Sequence, residues 1–200
     1  MTALKRLSKY QTTVLLHQAK ACLGEGSFGS VFLVNFEGKD CALKVGNTKD
    51  EAESLERDRA ILEKLRGVGG APIPLAYCPE VPAFIMSYCG AQDLLGLMTS
   101  KLRPSDSEIL NVAMKATEAL QQIHDAGFVH CDFKVDNVVV ETAKKGKVTK
   151  VHVVDFGLTQ PVGSSHPVGM FGGTEWACPC LEEGLPLSPS CDVVGLGVFL

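Results

Sequence analysis

The first third of the chain reads as strands. His17 to Gly24 and Ser30 to Phe36 are β-rich runs on either side of a glycine-rich turn, and Cys41 to Val45 follows the polar turn Glu37-Gly38-Lys39-Asp40. Three strands on short turns predict an antiparallel meander. From about Asp50 to Arg66 the apolar period lengthens. Ala52, Leu55, Leu62 and Leu65 fall near one face of a helix, which Gly67 and Gly69-Gly70 end. Pro72 and Pro74 predict an extended link, and Phe84-Ile85-Met86 a short strand before the polar connection Ser87 to Gln92. A second helix starts at Ser105, where Ser105 and Glu108 carry the Ser-x-x-Glu capping signature. Ile109, Ala113, Ala116, Leu120 and Ile123 then recur at steps of four and three until Gly127 stops the helix. Val138 to Val140 and Val151 to Val154 predict two more strands around a Lys-rich hairpin tip, Ala143 to Lys150. The pattern is α+β: a β-rich half with one helix, then a mainly helical half, with Ser87 to Gln92 as the candidate hinge.

Composition narrows the function classes. Of 200 residues, 46% are hydrophobic and 21% charged, enough to bury a core. The formal net charge is -4, with no strongly basic stretch, so nucleic acid is not the expected partner. Met1 to Gln18 holds only the short apolar run Val14-Leu15-Leu16, too short for a signal-peptide core or a bilayer span, and no later run reaches spanning length. The eight cysteines are Cys22, Cys41, Cys78, Cys89, Cys131, Cys178, Cys180 and Cys191. Their scattered spacing, with no secretory signal, points to reduced thiols in the cytoplasm or nucleus. Cys178-Pro179-Cys180 could ligate a metal with a second pair, but no second pair stands at metal-site spacing. Small buried thiols are the expectation.

Four features carry chemistry. Gly24-Glu25-Gly26-Ser27-Phe28-Gly29 is followed by Val31-Phe32-Leu33-Val34, a strand rather than the helix that a dinucleotide fingerprint requires. A glycine-rich turn between strands is a flap whose backbone N–H groups can reach phosphates. Lys44 stands 15 residues after Gly29, so the antiparallel return brings it under that flap as a cation for the α/β-phosphates. In His130-Cys131-Asp132-Phe133-Lys134-Val135-Asp136-Asn137, Asp132 would accept the proton of a substrate hydroxyl or orient that hydroxyl. Lys134 would offset developing charge, and Asn137 would hold magnesium through its amide oxygen. Asp155-Phe156-Gly157 follows an apolar strand, placing a carboxylate at a strand end where it can bridge magnesium to phosphates.

In this order and spacing the four features resemble eukaryotic-type protein kinases, from about Leu16 to Leu200. The resemblance implies a bilobal fold: an extension over 1–15, an N-lobe over 16–86, a hinge over 87–92 and an incomplete C-lobe over 93–200. It implies ATP and Mg2+ as cofactors and proteins as substrates. It assigns nucleotide binding to Leu23, Gly24, Glu25, Gly26, Ser27, Phe28, Gly29, Ser30 and Val31, with Val31 and Ala42 on the adenine ring. Met86 becomes the gatekeeper, the Cys89 backbone faces adenine, and Asp93 meets the ribose. His130, Phe156 and Gly157 support the site. Gly173-Thr174-Glu175-Trp176 resembles the end of the activation segment. Ser190 to Val198, with Asp192, resembles the start of the helix that anchors the catalytic loop. Lys134 follows the serine/threonine pattern, and Gly67 to Pro74 is similar to the casein kinase branch.

The chain also departs from that pattern. Cys131 replaces the arginine that precedes the catalytic aspartate and binds an activation-segment phosphate. Cys178 and Cys180 stand where the family has the alanine and glutamate of Ala-Pro-Glu, which removes a structural ion pair. Asp58 takes the register of the helix acid that pairs with Lys44, with Glu56 and Glu53 as alternatives. Aspartate is one methylene shorter, so a longer or water-bridged contact is expected. The last helix is cut at Leu200 inside an apolar run, as in a fragment or a truncated gene product. An active Ser/Thr kinase and a pseudokinase or scaffold are the rival readings; the presence of Lys44, Asp132, Asn137 and Asp155 together favours the enzyme. A small-molecule kinase of related fold is disfavoured by the Gly173-Thr174 segment.

Overall fold

The computed structural model describes residues 3–26, 29–99, 104–143, 147–168 and 177–199. Ser27, Phe28, Gly173, Thr174, Glu175 and Trp176 lie outside these. The chain forms two compact units, one of residues 1–66 and 72–88 and the other of residues 67–71 and 89–200.

The first unit is a six-stranded sheet with two helices. Its strands are β1 (Lys5–Arg6), β2 (Ala21–Gly26), β3 (Gly29–Phe36), β4 (Lys39–Val45), β5 (Pro74–Cys78) and β6 (Ala83–Ser87), in spatial order β1-β5-β6-β4-β3-β2. The meander β2-β3-β4 is antiparallel, as its turns predict. Side chains alternate across it. Val34, Cys41, Leu43 and Ile85 point to one face, where they join Leu7, Ala76 and Cys78 in a buried core. Burying Val34, Leu43 and Ile85 completely stabilises the sheet by roughly 1.5–3 kcal/mol each.

The N-terminal residues belong to this core. β1 pairs in parallel with β5, and α1 (Lys9–His17) lays Leu15 and Leu16 on the core. The strand expected from His17 begins only at Ala21, because His17 closes a helix. Ser8 and Gln11 form a capping box there, a Ser-x-x-Gln signature one step from the one recognised at Ser105.

On the opposite face, register aligns Val31 with Lys44 and Phe84, and Leu33 with Ala42 and Met86. Helix α2 (Lys49–Leu65) buries Leu55, Asp58, Ile61, Leu62 and Leu65. Thr48 accepts from the Glu51 N–H at its start, and Arg66, at φ 50°, closes its end one residue before the expected glycine.

The second unit contains helices α3 (Leu94–Thr99), α4 (Asp106–Asp125), α5 (Pro179–Glu182) and α6 (Val193–Phe199). Strands β7 (Gln92–Asp93), β9 (Val138–Thr142) and β10 (Val148–Val153) form one small sheet, and β8 (Phe128–Val129) pairs with β11 (Gln160–Pro161). α4 follows its capping box at Ser105 and buries Val112, Ala113, Ala116, Ala119, Leu120 and Ile123. Ile109, expected on that face, is 42% exposed. Gly69, at φ 65°, packs against the helix so closely that a Cβ there would lie 2.6 Å from the Ala119 carbonyl oxygen. The unit is richer in helix than the first, which gives the α+β class with a β-rich N-lobe and a helical C-lobe. Among the described residues no helix is long and apolar enough to cross a membrane.

Candidate active site

In the second unit, β8 delivers the chain into His130, and a buried carboxylate fixes the backbone of the turn there. Asp192, 2% exposed, accepts from the backbone N–H groups of His130 and Cys131, both at 2.8 Å. It also meets His124 Nε2 at 2.8 Å. These bonds hold Cys131 at φ 68°, a conformation that costs a non-glycine residue free energy and persists where surroundings impose it. The turn aims Asp132 back over the loop. The Thr159 hydroxyl donates to the His130 carbonyl at 3.1 Å. The Asp132 N–H donates to His130 Nδ1, so Nε2 carries the proton that reaches the Val154 carbonyl at 3.1 Å. The His130 ring stacks edge-on against Phe156 and Phe133.

Asp132 is the focus of this loop. Lys134 Nζ lies 3.0 and 3.1 Å from its two carboxylate oxygens. The Asn137 amide nitrogen donates to the Asp132 carbonyl at 2.8 Å and to its carboxylate at 2.9 Å. A short 3-10 turn, Val135–Asn137, folds Asn137 back across five residues. Asn137 thereby spends its nitrogen on Asp132, and neither bond uses its oxygen. The Val154 N–H donates to the Asn137 carbonyl at 2.9 Å, tying this loop to the segment that ends in Asp155. Asp155 is half-buried at φ 62°, and Phe156 behind it is fully buried. Helix α6 closes on the loop at Gly195, where an added Cβ would meet the Phe133 carbonyl oxygen at 2.1 Å.

In the first unit, Lys44 Nζ meets Asp58 Oδ2 at 2.6 Å, with both side chains at least 96% buried. The longer or water-bridged contact expected for an aspartate is therefore corrected to a direct one. Gly46 lets the start of α2 approach closely: a Cβ there would lie 3.0 Å from Glu51 Cβ, and this closeness makes up for the missing methylene. Glu56 pairs instead with Arg59, and Glu53 faces Lys49. Val31, Ala42 and Met86 share the sheet face of Lys44. Leu23, Gly24, Glu25, Gly26 and Ser30 lie on the β2-β3 hairpin. Gly29, at φ 109°, would drive a Cβ to 2.2 Å from the Val45 carbonyl, so the fold itself requires glycine there. Among the described residues, a Cβ on Gly24 or Gly26 would meet no atom within 4 Å.

Asp93 accepts from the Gly96 N–H at 2.6 Å and so starts α3. Cys89 is buried beside His152. His152 Nδ1 donates to the Gly70 carbonyl at 2.7 Å and Nε2 to Glu141 at 2.8 Å. The nearby Cys89 sulfur chiefly, together with the bonds to Glu141 and Gly70, holds its pKa up to about 9 against the opposing effect of burial. The Cys131 thiol is buried and donates to the Val129 carbonyl at 3.4 Å; burial first, then the Asp192 charge, push its pKa well up.

Three cysteines depart from the expectation of separate reduced thiols. The Cys178 and Cys180 sulfurs are paired as a disulfide, and the Cys191 sulfur lies 2.8 Å from that of Cys180. Distance along the chain hid the third sulfur. His124 and Thr159 also escaped sequence reading. A helix-end histidine and a lone threonine carry no motif.

The protein kinase domain family model matches residues 17–200. The chain is 26% identical to mitogen-activated protein kinase kinase kinase 13-B of Xenopus laevis, over 89% of this chain and 18% of that protein. It is 26% identical to serine/threonine-protein kinase cst-1 of Caenorhabditis elegans, over 88% of this chain and 36% of that protein. It is 28% identical to serine/threonine-protein kinase SBK2 of Mus musculus, over 100% of this chain and 58% of that protein. The chain thus spans less than two thirds of each relative, and the casein kinase likeness of Gly67 to Pro74 gains no support from them. With the match running through the glycine-rich hairpin, Lys44, the Asp132 loop and Asp155, the chain belongs to the protein kinase family.

Proposed function

We propose that this domain transfers the ATP γ-phosphoryl group to serine or threonine hydroxyls of protein substrates, with magnesium as the metal. The observation that carries the reading is the convergence of Lys134 and Asn137 on the Asp132 carboxylate. A carboxylate so held is aimed to accept or orient a hydroxyl proton, and the ammonium beside it offsets charge that develops during transfer. Phosphoryl transfer rests on positioning and electrostatics, which these residues supply without a covalent intermediate.

The residues present fit the expected groups. Among the described residues nothing imposes glycine sterically at Gly24 or Gly26, and close approach of a phosphate is a sufficient reason for them. Lys44, held straight by Asp58, is the phosphate cation of the first unit. The Asn137 amide oxygen and the Asp155 carboxylate are the hard oxygen ligands that magnesium prefers. When bound, the metal neutralises phosphate charge. Serine/threonine specificity is supported by Lys134 and by the names of the relatives.

The test compares the wild-type chain with Asp132→Asn, measuring nucleotide-analogue binding and phosphate incorporation into serine-, threonine- and tyrosine-containing peptides. Loss of a general base costs between about 100- and 10,000-fold in turnover. The expected result is that loss with nucleotide affinity nearly unchanged. Wild-type turnover in the folded variant would sink the role of Asp132. Nucleotide binding without any wild-type turnover would instead favour a non-catalytic nucleotide-binding module.

A further inference from the structure

Cys178, Cys180 and Cys191 bring three sulfur atoms within 4.8 Å of one another. Cys178 caps α5 and Cys180 lies in its first turn, while Cys191 comes from the 3-10 turn Pro189–Asp192. Pairing Cys178 with Cys180 leaves the Cys191 sulfur 2.8 Å from Cys180, inside the roughly 3.5–4.0 Å at which non-bonded heavy atoms rest. A covalent pair therefore satisfies two sulfurs and crowds the third. An ion held by thiolates at about 2.3 Å would satisfy all three. The Ser188 backbone N–H also points at the Cys191 sulfur, at 3.5 Å, and such a bond favours a charged sulfur. Cys191 is 2% exposed, and Cys178 and Cys180 are half-buried, so the cluster is partly accessible. The neighbouring Cys131 has its thiol proton committed to the Val129 carbonyl and is not a ligand.

We propose that in the reduced protein these three cysteines bind one thiophilic metal ion, with zinc as the reference ion and an exogenous fourth ligand. Three thiolates select soft ions over magnesium or calcium. The ion joins α5 to the turn whose last residue, Asp192, holds the backbone of His130 and Cys131. Occupancy thus braces the anchor of the Asp132 loop. All these groups lie in the second unit, so the proposal stands independently of the phosphotransfer reading.

The full chain is purified anaerobically with a phosphine reductant, stripped with a chelator, and titrated with Zn2+ and separately with Co2+. The expected result is one ion per chain, a sulfur-to-cobalt charge-transfer band, and a melting temperature that rises on zinc addition. Cys178→Ser and Cys191→Ser should each weaken zinc by more than about 100-fold, the upper end of what loss of a mere outer-shell partner costs. Cys178→Ser, half-buried, keeps the test open if Cys191→Ser fails to fold. Cys22→Ser, at an exposed thiol of the other unit, should leave binding unchanged. No zinc retained by the reduced chain, or equal affinity in folded Cys178→Ser, would overturn the proposal. So would a thiol count that stays at six of eight under reduction, the mark of a permanent disulfide.

Discussion

Gly195→Ala tests whether α6 sets the position of the Asp132 loop. The added methyl would lie 2.1 Å from the Phe133 carbonyl oxygen, about 1 Å inside the 3.0 Å below which real Cβ contacts essentially never fall. The contact is with backbone, so no side chain can swing away; the helix or the loop must move by about that distance. Overpacking of this kind costs about 1–3 kcal/mol, and alanine returns up to about 1 kcal/mol of helix propensity. The two effects partly cancel and leave about 0–2 kcal/mol of destabilisation, a fall in melting temperature of up to about 8 °C. Turnover should not be so protected. Phe133 lies between Asp132 and Lys134, and a 1 Å misplacement of reacting groups costs about 100-fold. The assay measures peptide phosphorylation at saturating nucleotide beside thermal unfolding and nucleotide-analogue affinity. The expected pattern is a fall in kcat of about 100-fold with nearly unchanged nucleotide affinity. Turnover within threefold of wild type in the folded variant would refute the claim that α6 positions this loop.

Lys44→Met should destabilise the first unit by about 3–5 kcal/mol, because it removes the ion-pair partner of a buried Asp58 carboxylate. Lys44→Met with Asp58→Leu should recover most of that in chemical denaturation without restoring nucleotide binding; recovered binding would remove Lys44 from the phosphate site. His152 has a folded pKa raised from 6.5 to about 9, so its stabilisation is complete below pH 6.5 and lost as pH rises through about 9. Unfolding free energies of wild type and His152→Asn should therefore differ most near pH 6 and converge by pH 10; a constant difference would show that charge is not the cause. Cys131 is a buried thiol with its pKa pushed up, and it offers no cation to a phosphate on Ser164, Ser165 or Thr174. Phosphatase treatment should leave turnover within twofold; a large drop, reversed by rephosphorylation at one of those residues, would show that another cation serves.

Local chemistry was legible from the chain alone. The capping signature at Ser105, the meander turns and the order of glycine-rich hairpin, Lys44, Asp132 loop and Asp155 depend on neighbours a few residues away, so spacing alone reveals them. Asn137 returning to Asp132 across five residues is of the same kind. α1 was missed although Ser8 and Gln11 announced it, because its own periodicity is slight and its burial comes from the sheet beneath it. The tertiary structure decided everything that joins distant segments. It made the direct Lys44–Asp58 contact, where register had already placed Asp58 ahead of Glu56 and Glu53. It set Gly195 against Phe133 and Asp192 beneath Cys131, and it brought Cys191 to Cys178 and Cys180. Such contacts depend on how packed elements cross, and no periodicity along the chain encodes that distance.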